Sequence, residues 1–326
     1  MKKLIAAFLA LMLVMTLTAA FAEEPPTIAY VPKVIGQPWW DYVQKNVMEW
    51  GEENGYDVIY KGGATTDAAE QVQIMTDLVN QGVDIICFSP NDPGSMEEIC
   101  KQAMEKGIIL VSTEAMGMTN INYDVEAHDD AGLGAFLMDP LAAQMGEEGP
   151  YINMVGSMTF ESQNNWEDGA VARQQEAYPN MELVPDARVE NGSDSQAAYN
   201  LAMQLKEKYP DLKGILGTGS FDAPGVGRAI ADMGLTGEMF TICVALPSEV
   251  GSLLDEGVLE CVALWDPGLS AKAQLNAAMI LYNGGTIEDG TDLGIPEYSN
   301  VKIADKVIIG QGDIAVTKDN WQSFGF

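Results

Sequence analysis

From Thr27 onward, short apolar runs alternate with helical patterns, and this alternation constrains the fold more than any other feature of the chain. Strand–helix repetition predicts parallel sheets covered by helices on both faces. Strands are expected over 27–34, 57–60, 85–88, 108–111 and 122–123. Helices are expected over 40–54, 68–81, 95–106 and 127–145. In the stretch 68–81, Val72, Met75, Leu78 and Val79 recur at helical spacing, and Gly82 ends it. The pattern then repeats. Strands are expected over 151–155, 182–188, 214–216, 240–244 and 259–264, and helices over 166–178, 194–209, 223–233, 248–256 and 269–283. The last forty residues are rich in Gly, Pro and Asp, with strands over 301–309 and 314–316. Four or five units fall on each side of about residue 125. This predicts an α/β fold of two doubly wound parallel-sheet (Rossmann-like) domains, joined by a hinge of crossing segments with a ligand cleft between them.

Met1-Lys2-Lys3, the apolar run 4–20 and the small-x-small site Ala20-Phe21-Ala22 read as a secretory signal peptide over 1–22. The run is barely long enough to span a bilayer. No Cys near the site encodes a lipoprotein anchor, so a soluble, periplasmic or otherwise extracytoplasmic mature chain is expected. Cleavage leaves 304 residues and, with Lys2 and Lys3 gone, moves the formal charge from −31 to −33. The domains are expected at 23–125 plus about 266–294, and at 126–265 plus about 295–326. The acidic balance disfavours nucleic acid and anionic membranes as partners. The four cysteines form no Cys-x-x-Cys pair and there is one histidine, so neither a zinc site nor another metal or cofactor is expected. Cys243 and Cys261 sit at like points of consecutive strands. A disulfide is permitted there, but their apolar runs and parallel-sheet geometry favour buried free thiols.

In open α/β sheets, ligands bind at the C-terminal rim of the strands. The loops expected there carry Lys33, Trp39 and Trp40; Asn91 and Asp92; Glu114; Gln163, Asn164 and Trp166; Thr218, Ser220, Phe221 and Asp222; and Trp265-Asp266. Carboxylates, amides, hydroxyls, flat rings and one lysine suit a polar, hydroxyl-rich small molecule. Bland readings compete at several positions: helix capping at Asn91 and Asp92, core packing at Trp265 and the tryptophan pair, and solvated loop carboxylates at Glu114 and Asp266. No Gly-x-Ser-x-Gly elbow or Walker-type loop occurs. Glu114 with Asp266 is the one conceivable acid/base pair. His128 reads as a solvated or helix-capping residue. No catalytic residue is assigned.

Taken together, Ile28-Ala29-Tyr30-Val31-Pro32-Lys33, Gln71-Val72-Gln73 with 78–82, Gln163-Asn164 with Trp166, Leu264-Trp265-Asp266 and the segment 316–326 resemble the periplasmic sugar-binding proteins of ABC importers, type I fold. They are most similar to the autoinducer-2- and rhamnose-binding branch. The resemblance covers essentially the whole mature chain. It implies a cleft that closes on its ligand and docks on a membrane permease, and a monomeric receptor. By motif it implies ligand contacts at Lys33 and Gln163, and by position at Trp39, Trp40 and Asp266. Glu114 stands where that branch has Asp, Ser162 stands where it has Asp, and Thr218 and Ser220 fall near its Pro and Ala. These departures point away from autoinducer-2 and toward a monosaccharide or related polyol. The expected ligand-binding set is Lys33, Trp39, Trp40, Asp92, Glu114, Gln163, Asn164, Trp166, Thr218, Ser220, Asp222 and Asp266. A receptor that senses autoinducer-2 or a sugar and signals to a membrane partner and, further off, a secreted glycoside hydrolase are the alternatives.

Overall fold

The computed structural model describes residues 25–326, so the expected signal peptide lies outside the described residues. β1 (Ile28–Val31), β2 (Val58–Tyr60), β3 (Ile85–Phe88), β4 (Ile109–Ser112) and β5 (Tyr123–Glu126) form most of the first sheet. They are joined by α1 (Pro38–Asn54), α2 (Ala68–Gln81) and α3 (Pro93–Glu105), with a loop between β4 and β5. β1 and β3 are short apolar runs buried along their whole length, as expected for strands covered on both faces. Local chemistry sets the helix limits. Asp67 caps α2 by accepting from the Ala69 N–H at 2.7 Å, and Gly82, at φ 74°, ends it in the left-handed conformation.

The second half supplies α4 (Asp130–Met145), β6 (Glu148–Val155), α5 (Glu161–Ala177), β7 (Asn180–Glu190), α6 (Ser195–Lys208), β8 (Gly214–Gly217), α7 (Asp222–Met233), β9 (Phe240–Cys243), α8 (Pro247–Asp255), β10 (Cys261–Leu264) and α9 (Pro267–Tyr282). Its sheet runs β7-β6-β8-β9, all parallel. A bridge from Val244 to Ala263 leads on to β10, which pairs antiparallel with β13 (Ile314–Thr317).

The chain crosses between the halves three times: at 127–129 after β5, at 265–266 after β10, and at 310–313. On the second crossing it returns to pack α9 on α1 and on β3, β4 and β5. Two hydrogen bonds tie the outer crossings together, from Gly310 N to Glu126 O at 2.8 Å and from Gly312 N to Ala127 O at 2.9 Å.

Four expectations are corrected. The sequence places residues from about 295 in the second domain, but β11 (Lys302–Ala304) and β12 (Val307–Ile309) complete the first sheet. Its order is β11-β12-β5-β4-β3-β1-β2, with β12 parallel to β5. The apolar stretch expected as one strand over 301–309 is a hairpin, turned where Asp305 takes φ 56°. The polar run 161–165, expected as a loop, is the first turn of α5. Ser162 and Trp166, four apart, are buried on one face of that turn, and only Glu161 of the run is exposed. Likewise α1 begins at Pro38, whose fixed φ suits a first helical position, so Trp39 and Trp40 are helical rather than loop residues.

Candidate functional site

Between the two halves lies a cavity with an empty volume of about 530 Å3, part of it open to solvent. Its walls come from the C-terminal ends of β1, β4, β6, β7, β8 and β9 and from the crossing after β10. In the first sheet β1 lies between β2 and β3, and in the second β6 lies between β7 and β8. The cavity thus sits where the strand order reverses in both sheets.

Lys33 and Glu114 form its polar floor in the first domain. Lys33 Nζ lies 2.6 Å from Glu114 Oε2, and both side chains are buried. Glu114 occupies the left-handed region at φ 58°, held there by the Glu126 carboxylate, which accepts from the Glu114 and Ala115 N–H groups. The Lys33 loop is fixed from behind. Asn91 Nδ2 donates to Lys33 O at 2.9 Å, Gln71 Nε2 donates to Pro32 O at 2.9 Å, and Gln71 Oε1 accepts from Asn91 N at 2.7 Å. Across the cleft, Ser162 Oγ donates to Glu114 Oε2 at 3.2 Å, and Lys33 Nζ sits 4.7 Å from the centroid of the Phe160 ring. These contacts join side chains of the two halves directly, which defines a closed cleft.

The second domain contributes a separate polar cluster. Asp222 is fully buried at the start of α7. It accepts from Gly219 N at 2.8 Å and from the Asn191 side-chain amide, while Asn191 Oδ1 accepts from Ser193 N at 2.8 Å. Burial pushes the Asp222 carboxyl up to about 7, against the lowering effect of these donors. Gln163 Oε1 accepts from Gly156 N at 2.8 Å, which directs its amide NH2 to the cavity it lines. Aromatic rings enclose the remaining sides. Trp39 and Trp166 each meet Trp265 edge to face, at centroid distances of 5.2 and 5.4 Å, and Trp40 and Phe221 complete the wall.

Of the twelve expected contacts, the structure brings nine to this cavity: Lys33, Trp39, Trp40, Glu114, Gln163, Trp166, Thr218, Ser220 and Asp222. The other three are corrected, because each is engaged elsewhere. Asp92 caps α3, accepting from Gly94 N and from Ser95 Oγ. Asn164 folds back to donate to Phe160 O at 2.7 Å and accepts from Arg188 Nη1 at 2.7 Å. Asp266 caps α9, accepting from Gly268 N, from Leu269 N and from the Tyr42 hydroxyl at 3.2 Å. Asp266 does not line the cavity, so the acid/base pair with Glu114 that the sequence allows is not formed across it.

Sequence reasoning missed Thr66, Phe160, Asn191 and Ser193, and placed Trp265 in the core. Asn191 and Ser193 follow β7, which runs to Glu190, two residues past the strand end that the apolar pattern predicts. Trp265 is both buried and cavity-lining. His128 is corrected as well. It is buried against Trp166 and Trp265, while Asp129 is the residue that caps α4. All four cysteines are free thiols, and Cys261 is only partly buried.

A profile of the periplasmic binding protein domain matches residues 28–286. The chain belongs to the periplasmic binding protein family. Among curated proteins, this member is similar to a D-allose-binding periplasmic protein of Escherichia coli, at 24% identity over 90% of this chain and 94% of that protein. It is also similar to a D-ribose/D-allose-binding protein of Pseudomonas aeruginosa, at 21% identity over 85% of this chain and 89% of that one. Among solved structures, LsrB from Clostridium saccharobutylicum in complex with AI-2 superposes with a TM-score of 0.83 at 22% identity, covering 92% of this chain and all of that one. An ABC transporter solute-binding protein from Clostridium phytofermentas with bound L-rhamnose gives a TM-score of 0.82 at 21% identity, covering 91% and 97%. These likenesses confirm the two-domain α/β fold with its interdomain cleft. No helix among the described residues is long and apolar enough to cross a membrane, and no group of three or more His, Cys, Asp or Glu among them could hold a metal ion.

Proposed function

We propose that this periplasmic binding protein captures a small sugar or sugar-like polyol outside the cytoplasm, by cleft closure, and delivers it to an ABC transporter permease. One observation carries the reading: a closed interdomain cavity in which hydrogen-bonding groups from both domains face each other between tryptophan walls. Hydroxyl groups of a sugar both donate and accept. They can donate to Glu114 and Asp222 and accept from Lys33, Gln163 and Asn191, while the apolar ring faces pack on Trp39, Trp40 or Trp166. Because ligand groups bond to both halves only when the cleft is shut, binding shifts the population to the closed form that a permease would read.

In this reading the two carboxylates bind ligand and do no catalysis. Glu114 is ion-paired with Lys33, and Asp222 is held by structural donors. The relatives named for D-allose and D-ribose, and the neighbour with L-rhamnose bound, support a monosaccharide as the ligand class.

A thermal-shift screen of the secreted chain, residues 23–326, against monosaccharides, polyols and autoinducer-2 tests this. A ligand at a hundredfold excess over its Kd adds about 2.7 kcal/mol to stability, which such a screen resolves. A shift with one sugar supports the reading and names the class. A shift with autoinducer-2 alone would replace transport of a sugar with capture of a signal, and no shift with any of them would overturn it.

A further inference from the structure

The single histidine of the chain stands at the hinge, where all three crossing segments meet. His128 lies on the first crossing. Its Nδ1 is 3.0 Å from Oδ1 of Asp313 on the third, within ion-pair reach though not in line for a straight hydrogen bond. Its ring meets Trp265, on the second crossing, edge to face at 5.0 Å, and Trp166, on α5, at 6.0 Å. The residue is 5% exposed and its Nε2 has no hydrogen-bond partner. An imidazole kept buried with one nitrogen unpaired is costly. At this position it connects every crossing to the two tryptophans that line the ligand cavity. His128 itself does not line that cavity.

We infer that His128 is a positioning residue for ligand capture: paired with Asp313, it pins the hinge in the closed arrangement and holds Trp265 and Trp166 at the cavity wall. The inference rests on the solute-capture reading above. A residue that acts only on the hinge changes the fraction of molecules able to close. The apparent affinity for every ligand then falls by one common factor, whereas a direct ligand contact changes the ratio between ligands.

The test compares the wild-type chain with His128→Gln and Asp313→Asn. The second variant is included because Asp313 is partly exposed and its loss leaves the core packing in place. Calorimetric titration uses D-allose and L-rhamnose as probes. Spin labels on the two cleft lips, at Ile35→Cys and Met158→Cys in a Cys261→Ser background, report the interlabel distance without sugar; both lip positions are exposed. The expected result is a loss of affinity of about tenfold in His128→Gln and about threefold in Asp313→Asn, the same factor for each sugar, with fewer closed molecules in the sugar-free distance distribution. Unchanged affinities, or a change confined to one sugar, would overturn the inference, as would an unchanged distance distribution. If neither sugar binds the wild-type chain, the solute-capture reading is what has failed for these probes, and the distance distributions of the variants alone decide the role of His128.

Discussion

The buried pair of Lys33 and Glu114 gives the sharpest test of how the site is built. Both side chains are under a tenth exposed and their closest atoms are 2.6 Å apart. Removing one partner strands a buried charge, which costs about 3–5 kcal/mol, whereas replacing both with apolar groups of similar size is often nearly neutral. Lys33→Met leaves the Glu114 carboxylate with the Ser162 hydroxyl as its remaining side-chain donor. Glu114→Leu leaves the ammonium facing only the Phe160 ring. Each single substitution is expected to lower unfolding stability by about 3 kcal/mol, and the double substitution by about 1 kcal/mol, a coupling of several kcal/mol. Urea unfolding of the sugar-free protein reads these values directly, and sugar titration of the same three variants reads the second role of the pair. All three should bind at least tenfold more weakly, because the double variant restores stability but not the polar floor. Additive single-variant losses would refute the ion-pair argument. A double variant that binds as tightly as wild type would remove Lys33 and Glu114 from the site.

Three further outcomes follow from the same geometry. Trp40→Ala should weaken sugar binding at least tenfold by titration, since it removes a wall of the cavity; unchanged affinity would make Trp40 a core residue only. Gly134 on α4 faces α5 so closely that an added Cβ would lie 2.4 Å from Ala170 N and 2.5 Å from Trp166 O. Gly134→Ala should therefore push α5 outward, lower stability by about 1–3 kcal/mol in a thermal melt and weaken binding, and a wild-type melt would contradict the packing. Burial raises the carboxyls of Asp124 to about 6 and of Asp222 and Glu249 to about 7, so the folded state holds protons that the unfolded chain has released. Their stabilising contribution is present near pH 4 and is lost as pH rises through 6 to 7. The sugar-free melting temperature should fall from pH 5 to pH 8, and fall less in Asp222→Asn; a flat or rising profile would refute it.

Much of this fold is legible because strand and helix periodicities write themselves in apolar spacing. The helix over 68–81 and the strand over 85–88 stand where the sequence places them. What escapes is set by tertiary context. The run at 161–165 is polar because it is a helix start at the cleft, where Ser162 bonds to Glu114 and Gln163 to Gly156, not because it is a loop. The C-terminal hairpin joins the first sheet through pairing of β12 with β5, more than 180 residues apart, which no local pattern encodes. At the site, residue types at strand ends were a good guide to Lys33, Glu114 and Asp222. They could not distinguish a carboxylate that faces the cavity from one that caps the next helix, as Asp92 and Asp266 do. Asn191 escapes because β7 continues through Val189-Glu190, two residues beyond what its local pattern predicts.

The central claim is capture without turnover, and titration calorimetry of residues 23–326 with D-allose, D-ribose, L-rhamnose and xylitol, followed by analysis of the recovered sugar, tests it most directly. The account predicts one molecule of at least one of these bound per chain and recovered unchanged. Absence of binding by all four, or recovery of a chemically altered sugar, would contradict it.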